Sequence, residues 1–156
     1  MIRVLGVLAA ALAIAGPAMG QAPQPPAYPK LQRLHIAAFL ETTSQYDDGS
    51  EGEGWLFLLG AAKDGKPAYG RWLHYLANCI NGDVGADYVV IVNLDGSIRS
   101  EKALEAKFEA PTTDLSKAMS GYFCTGYLAP SSLPVYDSTV AAMAASFTPD
   151  GQFRTD

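Results

Sequence analysis

Four carboxylates, Asp47, Asp48, Glu51 and Glu53, crowd one short stretch interrupted by Gly49, Gly52 and Gly54. Oxygen donors of this kind suit a hard cation such as calcium. The order is not that of an EF-hand loop, because Gly49 falls where an oxygen ligand would be needed if Asp47 came first. Like charges this close repel unless they are exposed or neutralised, so the expectation is a flexible, solvated loop over 45–54. These four are the metal candidates. Hydrolysis by paired carboxylates needs two differently tuned groups across a substrate, and adjacency in sequence does not supply that separation.

His74 is the candidate catalytic residue, and His35 is the other histidine. A catalytic imidazole needs an acid or a nucleophile within hydrogen-bond reach. Ser120, Ser131, Ser132 and Ser138 could serve, but no G-x-S-x-G elbow presents any of them. Two isolated histidines do not make a zinc site, and the glycines form no phosphate-binding loop. No cofactor is expected.

Aromatic side chains gather near the second cysteine, in Gly121-Tyr122-Phe123-Cys124-Thr125-Gly126-Tyr127. If Cys79 pairs with Cys124, Trp72 and Tyr75 approach that segment. Trp72, Tyr75, Tyr122, Phe123 and Tyr127 are then the candidate binding surface, rigid rings with polar handles. The competing expectation is plain core packing around the disulfide. The cysteines lie 45 positions apart with no C-x-x-C pair, which argues for a structural bond over redox chemistry. Loop closure on this scale corresponds to about 4 kcal/mol by the chain-entropy estimate.

These residues need elements to hold them. Positions 1–20 have the layout of a secretory signal peptide: Arg3, an apolar run from Val4 to Ala15, then Ala18-Met19-Gly20 ahead of Gln21. A processing cysteine is absent there, so lipidation is not expected. Export to a bacterial periplasm or the medium agrees with a closed cysteine pair. No later segment reaches the length of a membrane span. Residues 21–29, with Pro23, Pro25, Pro26 and Pro29, form an extended arm, and 30–156 make one domain.

Within that domain, apolar spacing predicts a helix from Lys30 to about Thr42, with a strand over His35–Thr43 as competitor. It predicts a strand over Trp55–Leu59, a turn at Asp64-Gly65 and an amphipathic helix from Tyr69 to Ile80 stopped by Asn81-Gly82. A strand over Tyr88–Val92 follows, with a turn and a short return at Ile98-Arg99. Further helices are expected from Ser100 through Phe108, around Leu115–Tyr122 and around Val140–Phe147. The sum is a small α+β domain with a short antiparallel or mixed sheet and several helices, stapled by one disulfide, with a small α/β sandwich as alternative.

The formal charge of −5, with Lys30, Arg33, Lys63, Lys66, Arg71 and Arg99 dispersed, disfavours nucleic acid as a partner. The functional expectation is an exported, non-enzymatic binding or interaction module of the cell envelope, its partner an envelope protein, a peptide or a glycan. A small hydrolase with an unrecognised active site and a structural envelope protein are the alternatives.

Overall fold

The computed structural model describes residues 22–43, 46–47, 49–128 and 132–154. The leader over 1–20, Asp48, Pro130 and Ser131 lie outside the described residues.

Two ten-residue strands carry the fold. β4 (Glu51–Gly60) and β5 (Tyr69–Asn78) pair antiparallel over their whole length, from Glu51 opposite Asn78 to Gly60 opposite Tyr69. Between them, Lys63 and Lys66 exchange backbone hydrogen bonds of 3.1 and 2.9 Å around Asp64 and Gly65. Both turn residues have positive φ, 51° and 73°, the twist that a tight hairpin requires. β6 (Val84–Val92) pairs with β5, and β7 (Ile98–Ala103) pairs with β6.

On the other side of β4, β1 (Leu31–His35) and β2 (Ala38–Glu41) form a hairpin. Short β3 (Tyr46–Asp47) joins β4 off the main path, and β8 (Val135–Tyr136) pairs with β1. The order across the antiparallel sheet is β7-β6-β5-β4-β2-β1-β8. Two helices complete the chain, α1 (Asp114–Thr125) and α2 (Thr139–Ser146).

Side-chain alternation sends the strands' apolar groups to both faces. Phe39, Trp55, Phe57, Trp72 and Val90 build a core with Ala142 and Met143 of α2. Leu40, Leu56 and Ala77 build a second one with Met119, Tyr122 and Phe123 of α1. The α1 start is fixed by Thr113, whose Oγ1 accepts from Ser116 N while Ser116 Oγ accepts from Thr113 N. Its end is Gly126, at φ 67°, whose N–H donates to Tyr122 O.

The α+β expectation with several helices is therefore corrected: the domain is mainly one antiparallel sheet with two short helices. The helix expected over Tyr69–Ile80 is β5, with both faces covered. Trp72 points to one core and Leu73, Tyr75 and Ala77 to the other side, so both parities are apolar and three- and four-residue spacings arise by coincidence. Asn81-Gly82 stops no helix and instead turns β5 into β6, with Gly82 N donating to Asn78 O. The helix expected from Lys30 is the β1–β2 hairpin, whose turn at Ile36-Ala37 carries none of the usual glycine or asparagine signals.

The helix expected after Ser100 is exposed edge strand β7, followed by chain that returns to β6 through paired hydrogen bonds between Val84 and Glu109. Glu51–Gly54 belongs to β4 and not to a flexible loop. Trp55–Leu59, Tyr88–Val92, the Asp64-Gly65 turn and both late helices fall within or beside the elements expected for them.

Candidate functional site

The disulfide exists: Cys79 and Cys124 are bonded, with Cα atoms 5.3 Å apart. It joins the end of β5 to the last turn of α1 rather than two helix ends. Beside it α1 lies very close to β4. A Cβ on Gly52 would sit 2.1 Å from the Phe123 carbonyl oxygen, and one on Gly54 would sit 2.4 Å from Phe123 Cε1. Only glycine admits that approach.

Away from this clamp, α1 stands over the sheet with less beneath it. Met119 and Phe123 are buried, Leu115 is half-buried and Ala118 is exposed. The space left between the N-terminal half of α1, the β1–β2 turn and the ends of β4 and β5 is a groove of about 730 Å³. Leu34, Ala38, Leu58, Leu115 and Leu128 give it an aliphatic lining. Its volume is that of an ordinary small-molecule site.

Arg71 lines the same groove, on β5 opposite Leu58. Among the described residues its guanidinium has no ion-pair or hydrogen-bond partner, and its Nε is enclosed. Asp114, the one acid in the lining, is exposed and forms no ion pair with it. Burial pushes the Tyr75 hydroxyl above its usual range, while the Arg71 charge opposes that shift. Sequence reasoning noted Arg71 only as a dispersed cation. The available signal was its position as the single permanent charge in the stretch Tyr69–Asn78.

His74 lies on the opposite face, 8% exposed, with its ring 4.8 Å from that of Trp55. Its Nδ1 is 2.7 Å from Asp87 Oδ1, and since an ionised carboxylate only accepts, this nitrogen carries the proton. Nε2 faces Glu53 Oε2 at 3.9 Å. A bulge makes the contact: His74 pairs with Tyr88 and Tyr75 with Ala86, so Asp87 is the extra residue, and it turns to the imidazole.

No described serine joins this pair. Ser120 Oγ donates to Gly82 O, Ser138 caps α2, and Ser132 is exposed. His35 is an exposed residue at the groove. Among the described residues no three His, Cys, Asp or Glu side chains gather to hold a metal ion. Of the four acidic candidates, Glu51 and Glu53 line a separate cavity of about 320 Å³ beside Asn78 and Phe108. Asp47 belongs to β3, and Asp48 is outside the described residues.

The structure brings Tyr75, Tyr122 and Phe123 together on the α1 face and leaves Trp72 on the other. Tyr122 and Phe123 are buried, and Tyr127 is 68% exposed beside the groove residue Leu128.

No family model matches the chain, and no curated protein or solved structure matches it either. Function must come from the geometry.

Proposed function

We propose that this chain is an exported, non-catalytic binding protein of the periplasm or extracellular medium. The groove under the N-terminal half of α1 would be its ligand site, and a small molecule with a hydrocarbon portion its ligand. The observation carrying this reading is the shape of that contact. The disulfide and the two glycines hold one end of α1 tight, and the other end roofs an aliphatic groove of about 730 Å³. Leucine and alanine supply the apolar lining, with Arg33, His35, Arg71, Thr113 and Asp114 among them and, among the described residues, no Phe, Tyr or Trp, so the stacking that makes a sugar site has no basis there. The Cys79–Cys124 bond suits an oxidising compartment, and among the described residues no helix is long and apolar enough to cross a membrane.

The test is titration with 1-anilinonaphthalene-8-sulfonate. Saturable binding at one site, abolished by Ala118→Trp, supports the groove. Binding unaffected by that substitution moves the site elsewhere. N-terminal analysis of natively expressed protein tests export: a start at or near Gln21 supports it, and soluble cytoplasmic protein starting at Met1 overturns it.

A hydrolase remains the second reading because of the His74–Asp87 pair at 2.7 Å. Ester or peptide hydrolysis that disappears in His74→Gln would support it, and an unchanged trace rate would remove it.

A further inference from the structure

Arg33, His35 and Arg71 line the groove with Asp114; Arg33 donates to Ser146 Oγ, whereas Arg71 has no partner among the described residues. A cation without a partner among the described residues, at the wall of a largely aliphatic cleft, is poorly compensated, since unsatisfied polar groups out of bulk water carry a cost. Nε is closed off, but the two terminal nitrogens are not among the enclosed atoms and have no acceptor among the described residues. They form the end of the planar fork that donates two parallel hydrogen bonds to carboxylate oxygens. Thr113 and Asp114 at the same groove mark the N-terminus of α1, where the Asp114 carboxylate offsets the positive end of the helix dipole and leaves Arg71 as the group that would take an anion. Leu34, Leu58, Leu115 and Leu128 offer hydrocarbon and no competing polar group.

We infer that the groove receives a single-chain amphiphile with a carboxylate head, the head on the terminal nitrogens of Arg71 and the chain against these leucines. This assignment rests on the groove being the ligand site. It then adds a head-group rule: an acid is preferred to an alcohol or an amine of the same chain length. A neutral head leaves the guanidinium unmatched, and an ammonium head meets like charge.

Calorimetric titration of the oxidised protein with decanoate, 1-decanol and decylamine, each below its self-association concentration, tests the rule. Decanoate is expected to bind at one site, and decanol about tenfold or more weakly, the value of one charge-assisted contact. Decylamine is expected to be weaker still. Arg71→Met should remove most of the difference between decanoate and decanol, and Arg71→Lys should keep more of it. If Arg71→Met fails to fold, Ala118→Glu at an exposed position places a carboxylate beside the groove, and should weaken decanoate more than decanol. Equal affinity of wild type for decanoate and decanol overturns the head-group assignment and leaves the groove standing. Failure of all three ligands and of 1-anilinonaphthalene-8-sulfonate to bind overturns the groove itself.

Discussion

The ring of Phe123 occupies the space that a side chain at position 54 would fill, 2.4 Å from where the Cβ of Gly54 would be. The close end of the α1–sheet contact depends on that missing atom.

Gly54→Ala should therefore lower unfolding stability by about 1–3 kcal/mol, the usual range for overpacking a filled core. Alanine's advantage over glycine inside a strand works the other way by about 0.5–1 kcal/mol. Urea unfolding decides between them, and a stability gain would mean that Phe123 is not seated on Gly54. Combining the change with Phe123→Leu should cost less than the sum of the two separate changes.

Replacing both cysteines, Cys79→Ala with Cys124→Ala, should cost about 2–4 kcal/mol. The loss should be uneven. β4, β5 and β6 hold one another through long ladders, whereas α1 loses its tie to the sheet. Hydrogen exchange should show faster opening at α1 amides while amides in the centre of β5 keep their protection.

Alkaline pH should destabilise the fold through two tyrosines. Burial raises Tyr75 above 10.0 against the opposing charge of Arg71; burial and the nearby Glu41 raise Tyr122. A group raised in the folded state gives its full stabilisation below the unfolded value and loses it as pH climbs through the folded one. Stability should thus hold up to about pH 10 and fall beyond it. Tyr122→Phe should flatten that fall, and Arg71→Met should steepen the part due to Tyr75. Urea midpoints taken at a series of pH values measure both effects.

The proline arm has a structural consequence of its own. Gln24, Pro25, Pro26 and Pro29 bound a cavity of about 300 Å³ with Trp72, Val90 and Val92, and Pro29 is buried. A chain lacking residues 22–28 should unfold roughly 1 kcal/mol more easily, from lost apolar cover. Its tryptophan emission should shift to longer wavelength as water reaches Trp72. Unchanged emission would show the arm to be a tether without a packing role.

Local signals were enough for some elements and not for others. Thr113 and Gly126 bracket α1, and Asp64-Gly65 can hardly be anything but a turn, because each acts on backbone within a few residues of itself. The pairing of Cys79 with Cys124 was legible because there were only two cysteines to pair. β5 was not legible, since a strand buried on both faces shows no alternation, and its histidine and arginine interrupt whatever pattern remains. The β1–β2 hairpin was hidden by an unmarked turn. The groove could not be read at all: it arises where α1 parts from the sheet, and that depends on the distance between segments far apart in sequence. Asp87 met His74 only through a bulge, a one-residue offset that no spacing rule records.

The strands β1 to β7 all precede residue 104, and both helices follow residue 113. Leu40, Leu56 and Ala77 thus wait for α1, and Phe57 and Trp72 wait for α2. Synthesis runs from the N-terminus, so a nascent chain that has delivered its seven strands offers two apolar surfaces whose helices are not yet made, one of them with only the proline arm against it. Apolar surface left open in this way is what chaperones bind. Cys79 emerges in that interval without Cys124, and their bond can close only after α1 has been made. Oxidation of the pair therefore reports a chain that has reached its last third and docked it.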